Sequence, residues 1–339
     1  LCAYAAAGFA DAPWQAVAAA ALAIAACSCA PLARGRLPER GRRAAGAARP
    51  FAVALAVPAG FYLLERPWND GLFAMDPYYA AANLCVLALL FAVVYFAGQR
   101  SRASVAAFLA ACLAAGVANH FVIAFKGQPI VPADLFALST AASVGSGYTF
   151  ALDARLLEAL SAFAACCAVL AFLPKVPATP RRVAANAVCA LAVAGCFGWW
   201  MGSYDIEEAY ACPVDVWGVK ESYAERGSAL CFLKRVQDLS PAEPDGYDPD
   251  GVAALLGELA DGAPEAIDGA EAPTVIAIMN ETFSDLSRYP GLAGTDARPA
   301  HYYEIAKEAL EAGDAYVSAL GGGTCNSEFE FLTGSSMGH

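Results

Sequence analysis

Apolar positions along this chain follow two patterns. Through residues 1–202 they form long unbroken runs separated by short polar breaks; from 203 on they thin into short helix-like and strand-like periods among acidic residues. A spanning helix needs about 20 mostly apolar residues. Six runs qualify, at 13–33, 50–65, 78–98, 104–125, 154–173 and 183–202. The second is short and contains Pro58, which a spanning helix tolerates only where neighbours satisfy the freed carbonyl. The pattern therefore predicts a polytopic helical membrane domain over 1–202.

Charge in the breaks predicts an orientation. Arg34, Arg36, Arg40, Arg42, Arg43, Arg49, Arg100, Arg102, Lys175, Arg181 and Arg182 fall on one side, against only Arg66, Lys126 and Arg155 on the other. Basic loops stay in the cytoplasm, so residues 203–339 are expected outside. Trp14, Tyr78, Tyr79, Trp199 and Trp200 fall at the predicted outer ends, where amphipathic rings favour the headgroup level. The outer loop 126–153 reads equally as an interfacial segment that meets lipid headgroups through Lys126 and as a connector packed on the bundle. His120, near the outer end of the fourth run, reads as interfacial.

Beyond the last run, 203–272 reads as an acidic extracellular spacer, with a partly helical stretch at 217–238 and a short helix near 250–260. A further domain is predicted from 273 to 339. Residues 274–279 suit a buried parallel strand. Tyr302, Ile305, Ala306, Ala309 and Leu310 share one helical face, with Gly313 as a stop. Residues 316–320 form a second strand candidate, followed by Gly321, Gly322 and Gly323. Strand, helix, strand, glycine turn and helix is an α/β order.

Composition sharpens the division. The 339 residues are 58% hydrophobic and 16% charged, against about 25% charged in an ordinary soluble domain. Residues 1–202 hold 14 Lys and Arg against 8 Asp and Glu, and 203–339 hold 7 against 25. The acidic outer part argues against a nucleic-acid partner. Nine of the 12 cysteines lie in or beside apolar runs, where Cys behaves as a small hydrophobe. Cys212, Cys231 and Cys325 lie in the outer part. Pairing of Cys212 with Cys231 is open, and no CxxC or His cluster suggests structural zinc. A first residue that is not Met, a first apolar run without a basic leader and an end at His339 directly after a motif read as a fragment of a longer protein, truncated at both ends.

The chemistry concentrates in two places. Glu281 follows the first strand candidate and Thr324 follows the second after three glycines, so parallel strands would bring both to one sheet edge, where α/β sites gather. Glycines let the backbone approach a ligand and take positive φ. Ser327 and Glu330 fit a capping box, which predicts a helix start at Ser327 with free N–H groups for an anion such as phosphate beside Thr324. A Thr hydroxyl needs a base or a metal to act as a nucleophile. A hard divalent ion held by Glu281 and Thr324 would serve. Taken singly, Glu281 reads as a helix cap and the glycines as a turn; the joint pattern makes the site.

The segments Val275-Ile-Ala-Ile-Met-Asn-Glu281-Thr-Phe-Ser-Asp285 and Gly321-Gly-Gly-Thr324-Cys-Asn-Ser-Glu328-Phe-Glu-Phe-Leu-Thr-Gly334 resemble the lipoteichoic-acid-synthase-like phosphoglycerol transferases of the sulfatase/alkaline phosphatase superfamily. The loop Phe125-Lys-Gly-Gln-Pro-Ile-Val-Pro-Ala-Asp-Leu-Phe136 is similar to that family's loop between spans. The resemblance implies a multi-pass anchor in the cell membrane and the first part of an extracellular α/β, alkaline-phosphatase/sulfatase-like domain. It also implies a divalent metal, usually manganese, with magnesium or zinc as alternatives, and a glycerophospho-threonine intermediate. By motif, Thr324 is the nucleophile and a metal ligand, and Glu281 is a metal ligand. Family members complete the site with an Asp-His pair and a further His; His301 and His339 match none of these, and Cys325 occupies a usually small position. The implied donor is a phosphatidylglycerol-type membrane lipid, and the acceptor an extracellular glycolipid or glycopolymer hydroxyl in lipoteichoic acid synthesis. A phosphoethanolamine transferase, or a hydrolase of the same superfamily, is the nearest alternative. A non-catalytic membrane scaffold is the alternative of another class. With two ligands alone the segment is expected to be inactive by itself, since catalytic metals have three or more protein ligands.

Overall fold

The computed structural model describes residues 14–137, 153–177, 179–215, 218–239, 248–261, 276–280, 283–292, 299–313 and 324–334. They fall into two compact units, Leu1–Ser240 and Pro241–His339. All regular structure among the described residues is helical.

The first unit opens with α1 (Trp14–Gly35), α2 (Glu39–Ala47), α3 (Arg49–Ala54) and α4 (Ala56–Glu65), followed by α5 (Pro77–Ala97), α6 (Arg102–Lys126), α7 (Ala154–Phe172) and α8 (Pro180–Ser203). Local chemistry sets the ends. Asp76, Ser101, Asp153 and Thr179 each accept a hydrogen bond from a first-turn N–H of α5, α6, α7 and α8, which satisfies donors that have no partner within the helix. Pro77 and Pro180 stand where a missing N–H costs nothing. Helices α1, α5, α6, α7 and α8 are long and apolar enough to cross a membrane, and α2 with α3–α4 adds a sixth span if that pair, bent by 43°, counts as one. The short second run is thus a broken one. Pro50 cannot donate to the Gly46 carbonyl, and Pro58 cannot donate to that of Ala54, so the helix is interrupted at Ala48 and again at Leu55.

The bundle is held from within by Phe61, Leu63, Leu64, Phe91, Phe108, Leu109 and Leu113, all buried. The Phe91 and Phe108 rings meet edge to face with centroids 5.0 Å apart. Helices α4 and α6 approach closely at Gly116, where a Cβ would lie 2.5 Å from the Leu63 carbonyl oxygen and 2.6 Å from that of Leu64. Leu22 and Leu32 on α1, and Val188, Leu191 and Trp199 on α8, are exposed, an apolar perimeter of the kind that lipid covers.

Long-range hydrogen bonds gather the basic breaks at one end. The Arg49 guanidinium donates to the carbonyls of Pro174, at 3.0 Å, and of Arg100. Arg102 Nη1 donates to the Ala171 carbonyl at 2.8 Å, and Asn186 Nδ2 to Gln99 Oε1 at 3.0 Å. At the other end Arg66 pairs with Glu158 at 2.7 Å and Arg155 with Asp70 at 2.6 Å. There His120 Nδ1 donates to the Pro67 carbonyl at 2.8 Å, so the ring ties α6 to the turn after α4. Lys126 is engaged by Asp134 at 2.7 Å, and Ile130 N donates to Asn119 Oδ1 at 2.9 Å. Residues 126–137 therefore form a connector folded onto α6, with the Lys126 ammonium in a protein ion pair.

The stretch read as a spacer holds more structure than its composition suggests. Residues 206–237 form α9 (Ile206–Tyr210), α10 (Val219–Arg226) and α11 (Ser228–Gln237). These helices cap the bundle through a second core of Ile206, Cys212, Val219, Tyr223, Leu230 and Cys231 with Trp68 and Val86. Burial holds the Tyr223 phenol above its ordinary pKa.

Three buried polar side chains of the bundle grip the α10–α11 corner. Glu65 Oε1 accepts from Ser228 N at 2.7 Å, Asn69 Nδ2 donates to the Ala224 carbonyl at 3.0 Å, and Asn83 both donates to the Arg226 carbonyl at 2.6 Å and accepts from Leu230 N at 3.0 Å. Glu65 and Asn83 thereby satisfy first-turn donors of α11 that have no partner within the helix. Gly227 makes the corner with φ +86°.

Lys234, almost buried, meets Asp238 at 2.9 Å, Glu207 at 3.3 Å and Asp205 at 3.4 Å. Burial works against its charge, but the three carboxylates outweigh that and hold its pKa above the ordinary lysine value. Lys234→Ala leaves them facing one another, with an expected loss of about 2 kcal/mol, below the figure for a fully buried pair because the acids are partly solvated. A raised pKa means the stabilisation is complete below the unfolded value of about 10.4. The gap in melting temperature between parent and variant should therefore hold from pH 7 to about 10 and close only as strong alkali neutralises Lys234.

Candidate functional site

The second unit carries the predicted site residues. Its helices are α12 (Pro249–Asp261), α13 (Ala300–Ala306) and α14 (Thr324–Thr333), with a 3-10 turn at Leu286–Arg288. The short helix expected near 250–260 is α12.

Helix α14 begins at Thr324 itself, three residues before the start predicted from the capping box. Ser327 is thus the fourth helical residue and does not act as the cap. The first four N–H groups of a helix lack intrahelical partners, and here they belong to Thr324, Cys325, Asn326 and Ser327. The shift moves the anion-favouring end of the helix onto the nucleophile candidate itself. Helix α14 ends at Gly334, whose φ of +71° and N–H to the Glu330 carbonyl at 2.8 Å close the last turn in the left-handed manner that favours glycine. Glycines 321–323 and the strand candidate 316–320 lie outside the described residues, as does Glu281. The Glu281–Thr324 pairing therefore remains a reading of the sequence.

Around Glu281 the flanking chain is described. Phe283 N donates to the Asn280 carbonyl at 3.3 Å. Residues 276–279, the described part of the first strand candidate, form no strand, and Ile276 and Ile278 are 81% and 85% exposed. A parallel strand of this apolar kind exists only with neighbours on both sides, and among the described residues none pairs with it. Helix α13 is also shorter than the periodicity suggested. It stops at Ala306, the chain turns through 307–310, and Ile305 and Leu310 face outward, so the predicted face is not buried.

Asp285 organises this region. Its carboxylate accepts from Ser287 N at 3.1 Å, from Ser287 Oγ at 2.6 Å and from the Tyr303 hydroxyl. The Ser287 and Tyr303 hydroxyls hold its pKa below the ordinary carboxylate value. Phe283 and Tyr302 add a ring contact at 5.4 Å. The segment after Glu281 is thereby tied to α13. The sequence held a signal for half of this, since Asp followed two residues later by Ser is a local turn pattern; the Tyr303 bond spans 18 residues and left none.

Glu281 and Thr324 offer a carboxylate and a hydroxyl, an all-oxygen donor pair of the type hard divalent cations take. Among the described residues no group of three or more His, Cys, Asp or Glu side chains is arranged to hold a metal ion. No family model, curated protein or solved structure matches the chain.

Proposed function

We propose that the protein is a membrane-anchored transferase that moves a glycerophosphate group from a phosphatidylglycerol-type lipid to a hydroxyl of an extracellular glycolipid or glycopolymer, with Thr324 as nucleophile. The observation that carries this reading is the opening of α14 at Thr324, directly after three glycines. The first turn of a helix carries N–H groups without intrahelical partners and the positive end of the helix dipole, which favour a phosphate. The five or six helices able to span a membrane support a lipid donor, because they anchor the chain in the layer that supplies one. The basic breaks gathered at one end of the bundle support an outward placement of the chain beyond α8.

In the reaction, Thr324 Oγ1 bonds to the donor phosphorus, and the phosphorus–oxygen bond to diacylglycerol breaks. The departing oxygen takes up a proton, and the Thr324 proton is released. The acceptor oxygen then bonds to phosphorus, the bond to Thr324 Oγ1 breaks, and Thr324 regains a proton while the acceptor loses one. Backbone N–H groups at the start of α14 would orient the phosphoryl oxygens and offset their charge. Glu281 and Thr324 would hold a divalent ion, manganese with magnesium or zinc as alternatives, which lowers the hydroxyl pKa and neutralises phosphoryl charge.

Membranes containing the full-length protein, given phosphatidylglycerol labelled in its terminal glycerol, should yield a peptide carrying glycerophosphate on Thr324 together with free diacylglycerol. Thr324→Ala should yield neither. Label on another residue, or diacylglycerol release that survives Thr324→Ala, would remove the assignment. Labelling from phosphatidylethanolamine in place of phosphatidylglycerol would turn the reading to a phosphoethanolamine transferase.

A further inference from the structure

Cys212 and Cys231 meet inside the cap. Both are fully buried, 0% exposed, with sulfurs 3.9 Å apart. Cys212 stands at the turn after α9, where Ala211 takes φ +49° and Cys212 N donates to the Glu207 carbonyl at 3.2 Å. Cys231 is the fourth residue of α11, and its Sγ also contacts the Ser222 carbonyl at 3.4 Å. Ile206, Val219, Tyr223 and Leu230 complete the apolar surround. The other described cysteines, Cys325 apart, lie on spanning helices.

We infer that Cys212 and Cys231 form a structural disulfide that closes the cap. This rests on the outward placement of the cap in the proposed function, since disulfides persist in oxidising surroundings. The sulfurs must approach by about 2 Å from their thiol contact to reach a bond of about 2.05 Å. The bond clamps α9 to α11 across 19 residues. In a chain whose cap core is this small, that restriction of the unfolded state has a large effect relative to the core itself. The exchange is balanced by an oxidised dithiol protein as electron acceptor. One sulfur–sulfur bond forms between Cys212 and Cys231, both thiol protons leave, and two electrons reduce the acceptor's disulfide to two thiols. Because neither sulfur reaches solvent in the folded cap, the exchange belongs to the stage before α11 docks. Once made, the bond is shielded from small reductants.

The full chain, purified from membranes without reductant, is denatured, alkylated and digested. The expected result is a linked pair of peptides holding Cys212 and Cys231, both unalkylated until reductant is added. Alkylation of both in the unreduced sample overturns the inference. In parallel, denaturing reduction followed by refolding in reductant should lower the parent's melting temperature to that of Cys212→Ala/Cys231→Ala, and an unchanged melting temperature overturns the inference. If the double variant does not fold, the peptide result on the parent decides. Orientation is read separately with Lys220→Cys, an exposed position on α10, and a membrane-impermeant maleimide on intact cells. Labelling there with free thiols at 212 and 231 overturns the disulfide and leaves the outward placement standing. Labelling only after lysis overturns the outward placement, and with it the oxidising surroundings that the disulfide needs.

Discussion

Gly227→Ala should unseat the cap, lowering its stability by about 4 kcal/mol. Two costs combine. With φ +86° and ψ 144° the corner lies where only glycine is comfortable, and a side chain there costs on the order of 1–3 kcal/mol. The new Cβ would also fall 2.3 Å from Asn83 Nδ2, 2.5 Å from Cγ and 2.6 Å from Oδ1. Asn83 cannot swing aside freely, because it is fully buried and bonds to Tyr79 O, Arg226 O and Leu230 N. Displacing it strands those groups, each at about 1–3 kcal/mol before relaxation. Limited proteolysis between α10 and α11, and the melting temperature in detergent, report the result. Gly127→Ala is the control: φ there is +80°, but no heavy atom lies within 4 Å of the added Cβ, so only the backbone cost of about 1–2 kcal/mol applies. Equal losses at the two glycines would mean that the grip of Asn83 on the corner contributes nothing.

Gly116→Ala should cost the bundle about 3 kcal/mol, although alanine is the better helix former by about 1 kcal/mol. The obstruction is backbone: the carbonyl oxygens of Leu63 and Leu64 stand 2.5 and 2.6 Å from the new methyl. Neither can rotate away, so α6 must move off α4 and loosen Phe108, Leu109 and Leu113 against Leu63 and Leu64. Close approach at small residues is how spanning helices gain packing contacts without a hydrophobic drive between them. Gly195→Ala on α8, with nothing within 4 Å, should be neutral or mildly stabilising. Unfolding titrations in mixed micelles should separate the two variants clearly.

The membrane helices were legible because their signal is composition over about 20 residues, and each run in the sequence lies close to a helix in the structure. The cap was not. Ile206, Val219, Tyr223 and Leu230 are scattered among polar residues, and their core is completed by Trp68 and Val86, more than a hundred residues earlier. No local window records that partnership. In the second unit the glycine turn pointed to the hydroxyl of Thr324, while the S-x-x-E pattern misplaced the helix start. Such a pattern is permissive: Ser327 can cap a helix only if the chain before it is non-helical, and here the helix already runs from Thr324. Strand 274–279 was inferred from apolarity, a property that buried strands share with any segment awaiting neighbours.

The grip of Glu65 and Asn83 on the α10–α11 corner also imposes an order of assembly. Ser228 follows Glu65 by 163 residues, and Leu230 follows Asn83 by 147. At about 5–20 residues per second of synthesis, α4 and α5 wait roughly 8–30 s before their partners exist. During that interval a carboxylate and an amide at the end of the bundle have only water or the insertion machinery to bond with. Closure of the cap is therefore the last act of biogenesis for this unit. A ribosome stalled between α8 and α11 would leave a bundle with an open polar end, the form that quality-control proteases are equipped to find.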